Sequence, residues 1–227
     1  MSYIGNDLAT DQVFLPDGIG AVSRTIPSKL KDTVSVKDFG AVGDGVADDT
    51  AAIQAAVTAA KRIFFPPGTY IVSHVDLVSN RTLYGVGWDS KIKQKIGTGP
   101  RYPEGDGMIT ANLVDVSATC TTNPANNMRH ISIKDLCLEG NSVESGFVEI
   151  NAIVGMQAVS DVTIERCKFI APQGDAIAFY SGVSIALERH CENLTIRDSV
   201  FDGVNYENRQ GISFYDVDGA VALLNPI

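Results

Sequence analysis

Eight acidic residues fall on outward positions of a repeating strand pattern in the second half of the chain: Glu139, Glu149, Glu165, Asp175, Asp198, Asp202, Asp216 and Asp218. Carboxylates in such rows suit sugar chemistry. A glycosidic bond breaks when one carboxylic acid protonates the leaving oxygen and a second carboxylate, about 5 to 9.5 Å away, attacks or activates water. Elimination from a uronate instead needs a base at the acidic C–H and a cation to neutralise the sugar's carboxylate. If neighbouring repeats stack, Asp202 and Asp216 share a face. Outward strand positions are ordinarily charged and solvated, however, so no catalytic residue is assigned from sequence.

The other reactive types are isolated. His74, His130 and His190 have no serine or cysteine partner at a recognisable spacing. His130 shares a slot with Asp161 and Asn193 in three similar segments, which predicts a hydrogen-bonding role at a corner. Cys120, Cys137, Cys167 and Cys191 form neither a C-x-x-C pair nor a disulfide framework, and Cys167 aligns with inward Leu136 and Ser199, as a buried thiol would. Trp88, Tyr102, Tyr180, Tyr206 and Tyr215 are the candidate sugar platforms, whereas Phe179 and Phe214 read as core.

The stretch "GAVGDGVADDT" (40–50) poses a separate question. Its glycines miss the dinucleotide fingerprint, no Gly-Lys-Ser/Thr follows, and Asp44, Asp48 and Asp49 would repel a phosphate. The ligand spacing of a calcium-binding EF-hand is missing too, so neither cofactor nor metal is expected. Asp48, Asp49 and Thr50 instead suit the start of a helix, with Ile53, Ala56, Val57 and Ala60 forming one narrow apolar stripe along it.

Beyond this helix the chain is strand-like and repetitive. "RIFFPPGTYIVS" (62–73) reads as two strands, Ile63–Phe65 and Tyr70–Val72, around a Pro-Pro-Gly turn. "HISIKDLCLEG", "DVTIERCKFIA" and "NLTIRDSVFDG" then align Ile131 with Val162 and Leu194, Ile133 with Ile164 and Ile196, and Leu138 with Phe169 and Phe201, at spacings of 31 and 32 residues. "NRTLYGVG" (80–87) is a degenerate earlier copy. "AIAFYS" and "GISFYD" form a second strand type, with "FVEINAI" (147–153) as its expected earlier member. Inward alternation breaks and resumes at 134–135, 165–166 and 197–198. A straight strand cannot do that without changing face, so the chain bends there. Strand, corner, strand, with like residues stacked on like, predicts an all-β fold: a right-handed parallel β-helix whose first coil is covered by the helix. Residues 62–227 hold five to seven such coils, a column roughly 25 to 35 Å tall at about 4.8 Å per coil. Residues 96–113, rich in Gly and Pro, read as an insertion.

The formal charge of −9 and scattered basic residues exclude the basic stripe a nucleic-acid partner requires. The N-terminus has no signal-peptide pattern, and no apolar run is long enough to span a membrane, so neither conventional export nor membrane insertion is expected.

"VSVKDFGAVGDGVADDTAAIQAAVTAA" followed by "IFFPPGTYIVS" resembles the opening segment of the pectate-lyase-like β-helix superfamily, and "GAVSRTIPSKLKDTVSVKDFGAVGDG" is similar to the version in bacteriophage tailspikes and tail fibres. The resemblance implies a homotrimer, assembled in the host cytoplasm into the virion tail. An N-terminal arm (1–35) would dock to phage tail proteins, a loop and capping helix (36–61) would come next, and coils (62–227) would bind, and in many members cleave, host surface polysaccharide. The apolar finish "GAVALLNPI" would leave a sticky edge in a monomer, so either a fragment of a longer chain or a shortened spike capped by partners is expected.

Overall fold

A computed structural model describes residues 12–30, 32–98, 107–111, 128–145, 152–180, 191–203, 211–214 and 217–223, with 144–145 and 217–223 described by backbone only. The chain divides into two compact units, one up to Val34 and one from Ser35.

In the first unit Val13–Phe14 pairs antiparallel with Arg24–Thr25, and a helix at Ile26–Leu30 comes directly after. None of its described residues is buried, so side-chain clamps hold it rather than a core. The Arg24 guanidinium grips both Asp32 oxygens at 2.7 and 2.8 Å and the Ser28 carbonyl at 2.6 Å. That grip holds the Asp32 carboxyl down to about 2. The arm therefore carries local structure of its own.

The second unit winds through three parallel sheets in a fixed order. A seven-stranded sheet contains Val34–Ser35, Arg62–Phe64, Arg81–Tyr84, Met128–Lys134, Val159–Glu165, Cys191–Arg197 and Val217–Leu223. A six-stranded sheet contains Asp44–Asp48, Gly68–Val72, Ser90–Gln94, Cys137–Glu139, Lys168–Ile170 and Val200–Asp202. A five-stranded sheet contains Val75–Asp76, Gly107–Ala111, Ala152–Gln157, Ile177–Tyr180 and Ile212–Phe214. The predicted columns are the observed register: Ile131 pairs with Val162 and Val162 with Leu194, and Leu138, Phe169 and Phe201 obey the same rule. "NRTLYGVG" belongs too, since Leu83 lies opposite Ile133.

Stacking fills the interior with like on like. Ile131, Ile133, Val162 and Ile164 are at most 1% exposed, each contributing about 1.5–3 kcal/mol of burial. The Phe169 and Phe201 rings lie parallel at 5.0 Å, and Phe179 and Phe214 at 5.8 Å; Phe179 is buried as expected, whereas Phe214, also expected in the core, is 39% exposed. Each predicted bend turns on one left-handed residue: Asp135, Arg166 and Asp198 have φ of 53, 51 and 51°. Short polar side chains tolerate this region better than branched ones, and Arg166 is held there by a bidentate bond to Asp135 at 2.6 and 2.9 Å.

The helix Thr50–Ala59 buries Ile53, Ala56 and Val57 completely in the core. Its polar side chains finish the column's open end. The Gln54 amide donates to the Asp76 carbonyl at 3.0 Å and accepts from the Asp76 N–H at 2.8 Å, imitating a neighbouring strand. Arg81 donates to the carbonyls of Val57 and Thr58, taking up acceptors that the helix end leaves free.

Three further sequence expectations need correction. The earlier member of the second strand type is Ala152–Gln157, not 147–153: Val154 pairs with Ile177 and Met156 with Phe179. Alternation alone could not separate the two frames, and Gly155 hid the true one. Residues 96–113 are not wholly an insertion, because Gly107–Ala111 is a buried strand. Asp49 occupies the N-cap position but makes no side-chain cap. Its carboxylate, 2% exposed, accepts from the N–H groups of Val42 and Gly43 at 2.7 and 3.1 Å, while Asp48 serves the Thr50 N–H. The acidic loop is thus folded back on its own helix. Gly43 is required there, with φ 69° and the Tyr70 ring 2.6 Å from where a Cβ would stand.

Candidate functional site: the outer faces of the coils

Of the predicted acids, Glu139, Glu165, Asp175 and Asp202 lie outside the core and have partners on adjacent coils. Glu165, 3% exposed at its side chain, meets Lys134 at 2.9 Å, Arg166 at 3.1 Å, and Arg197. Lys134 and Arg197 flank it in register on either side, so the seven-stranded sheet carries a cation–anion–cation column. Burial alone would raise the Glu165 carboxyl; bonds from Lys134 and Arg197 overcome it and hold the group at about 2. Glu139 binds Lys91 and Lys93 at 2.8 and 3.0 Å and is lowered in the same way against its burial. Asp202 meets Lys168 at 3.1 Å, and Asp175 accepts from the Ser213 hydroxyl at 2.6 Å. Asp198 occupies its corner. Glu149 and Asp216 lie outside the described residues, so the Asp202–Asp216 pairing does too; Asp218 is placed by backbone opposite Glu192.

The longest connections flank the five-stranded sheet, where binding sites ordinarily gather. Its outward register column runs Asp76, Thr110, Gly155, Ala178, Ser213. The Thr110 hydroxyl donates to Asp76 at 2.6 Å. Asp76 belongs to the first coil and Asp175 to the fourth, so the face's two described carboxylates are separated by three coils, roughly 14 Å at about 4.8 Å per coil. That exceeds the reach of a two-carboxylate hydrolysis. Beside Asp76 a shallow depression of about 500 Å³ is lined by Asp48, Thr50, Gln54, Ser73 and His74. His74 Nδ1 lies 2.9 Å from the Gly107 carbonyl, tying the depression to the next coil.

His130, Asp161 and Asn193 all adopt left-handed φ (60, 57 and 54°), and Asn193 donates to Asp161 at 3.1 Å, a structural ladder of the expected kind. His190 and Cys120 lie outside the described residues. Cys137, Cys167 and Cys191 are buried free thiols, and burial pushes Cys167 up to about 12 and Cys191 to about 11, far from thiolate reactivity. Of the aromatic platforms, Trp88 is half exposed and Tyr180 partly buried; Tyr102, Tyr206 and Tyr215 are not described. Sequence reasoning missed the lysines and arginines that hold the acids, although charge alternation at the 31- and 32-residue spacing, Lys134–Glu165–Arg197, was the signal. Among the described residues no cluster of three or more His, Cys, Asp or Glu could hold a metal ion, and no helix is long and apolar enough to cross a membrane.

Three parallel sheets wound in constant order, a helix over the first coil and charge-stitched outer faces define a right-handed parallel β-helix protein. The sequence profile of the family "Rhamnogalacturonase A/epimerase, pectate lyase-like" matches residues 33–221, and the chain belongs to that family. Mannuronan C5-epimerase AlgE5 of Azotobacter vinelandii is 35% identical over 183 residues, 73% of this chain and 16% of that protein. The pre-neck appendage protein of Bacillus phage B103 is 29% identical over 147 residues, 60% of this chain and 15% of that one. Among solved structures, the A-module of the A. vinelandii epimerase AlgE4 superposes with a TM-score of 0.57 at 29% identity, covering 83% of this chain and 51% of the module. The chain thus spans a small part of the length of the curated relatives it matches.

Proposed function

We propose that this chain is the arm-and-shaft portion of a bacteriophage tail appendage. The arm, residues 1–35, attaches to tail proteins; residues 36–61 cap the column; and the coils of 62–227 present their outer faces to host surface polysaccharide within a homotrimer assembled in the host cytoplasm. The observation that carries this reading is the outer surface, where the carboxylates of Glu139, Glu165, Asp175 and Asp202 are committed to neighbouring coils. That arrangement suits a rigid shaft better than an acid–base site. The similarity to a phage appendage protein supports the tail setting. Deleting residues 1–35 is expected to abolish incorporation into particles while the β-strand circular dichroism signal persists. Unchanged incorporation, or a protein that sediments as a stable monomer, overturns the reading.

Identity of 35% with an epimerase across 73% of the chain favours a second reading, in which the whole protein modifies a polyuronate. Incubation with polymannuronate, followed by proton NMR, then shows C5 inversion or unsaturated ends; an unaltered polymer dismisses it.

A further inference from the structure

The first unit carries its apolar side chains on the outside. Val13, Leu15, Ile19, Val22 and Leu30 are each at least 62% exposed, and Phe14 is 41% exposed. Among the described residues no other stretch of this length exposes so many large apolar side chains. Single exposed apolar residues are ordinary, but a dense group of them marks a surface that another molecule covers.

The described residues of the unit offer no substitute for that cover. The hairpin pairs only two residues of each strand, and an isolated two-stranded hairpin is marginal in water. The helix Ile26–Leu30 is five residues long and buries none of them, yet Ile26 and Leu30, four positions apart, share one face. Small units without a core are ordinarily held by disulfides, metals or association. Residues 1–34 contain no cysteine, and among the described residues there is no metal-binding cluster. Association is the stabiliser that is left.

Charge selects the partner. Up to Val34 three Lys or Arg stand against four Asp, a net −1, so −8 of the formal −9 lies beyond the arm. Arg24 is committed to Asp32, and Lys29 is shared between Asp32 at 3.4 Å and the Phe14 ring at 5.6 Å. With its described cations committed inside the unit, the arm keeps little charge with which to choose a foreign partner. A second copy needs no such choice. Two copies repel each other through their acidic coils and least through their arms, where the opposing surfaces are nearly neutral and equally apolar.

We infer that the arm is the surface through which copies of this chain join, the apolar side chains of residues 13–30 packing against the same residues of a neighbouring copy. The inference rests on the proposed homotrimer and adds the place where its subunits meet.

Sedimentation velocity of the purified full chain over a range of concentrations reads the association. The wild type is expected to form a discrete oligomer. Leu15→Glu with Leu30→Glu raises the concentration of half-association about a hundredfold or more, because two apolar contacts are lost and like charges meet. Val78→Glu with Ile96→Glu adds the same charge at exposed apolar residues of the coils and shifts it less than about threefold. Neither pair touches a core, and β-strand circular dichroism of the coils checks that each variant is folded. At equal concentration, the backbone amides of 13–30 exchange faster in the arm variant than in the wild type. Association that survives Leu15→Glu with Leu30→Glu, equal weakening by the coil pair, or equal amide exchange overturns the inference and leaves the homotrimer standing. So does an arm variant that still associates but no longer enters particles, which gives the apolar surface to a tail protein. A wild-type chain that stays monomeric removes the homotrimer as well. Particle incorporation reads the tail assignment separately: a wild type that joins through its arm yet never incorporates refutes only that assignment.

Discussion

Where the seven-stranded sheet passes to the six-stranded one, three successive coils turn in two residues, each led by a left-handed residue: Asp135, Arg166 and Asp198. Around the five-stranded sheet, by contrast, the links to the next coil range from the single residue Ala158 to the sixteen residues 112–127. One edge of the column is held to a template and the other is free to vary. At the tight corner the next inward side chain, Leu136, Cys167 or Ser199, comes immediately after the turn, so length and register are the same variable. Around the five-stranded sheet the described strands keep their register although the number of residues between them varies. Stability thus resides on one edge and variation on the other.

The contrast can be broken most forcefully by inserting one glycine after Asp135. The insertion turns Leu138 away from the core, and we expect loss of the cooperative urea transition, a penalty of about 4 kcal/mol or more. The same insertion after Gly97, an exposed residue with open space around it, is expected to shift that transition by less than about 1 kcal/mol. Equal effects at the two sites would erase the distinction.

Glu165→Gln sharpens it next. Removing the carboxylate takes the shared anion from Lys134 and Arg197, while Arg166 keeps Asp135, and we expect a loss of about 2–4 kcal/mol at neutral pH. The pH dependence arises from the same group. Its folded value of about 2 lies below the ordinary 4.5, so its contribution is complete above about pH 4.5 and disappears as pH falls towards 2. Denaturation across that window should show the wild type losing on the order of 3 kcal/mol more than the variant. The smallest effect belongs to Gln54→Ala, which unpairs the outer edge of Val75–Asp76. We expect about 1 kcal/mol and faster hydrogen exchange at the Asp76 amide, leaving the tight corner untouched.

Burial is why the columns were legible. Ile131, Val162 and Leu194 meet the same apolar surroundings and therefore keep the same chemistry at a constant spacing. The bends were legible because alternation fails there. The helix stripe Ile53/Ala56/Val57 was plain for the same reason, whereas the destinations of Asp48 and Asp49 depended on how the loop folds back, which no periodicity encodes. Gly107–Ala111 escaped notice because a five-residue strand amid Gly and Pro leaves too little pattern. The ion-pair columns form only once residues 31 to 48 apart in sequence are stacked, so the individual acids could be seen but their commitments could not.

Gln54 has a consequence for how such molecules keep apart. By meeting the Asp76 amide and carbonyl with its own carboxamide, it leaves an approaching strand from another molecule nothing to grip at that rim. The lid therefore blocks head-to-tail strand pairing at the Asp76 rim of the five-stranded sheet.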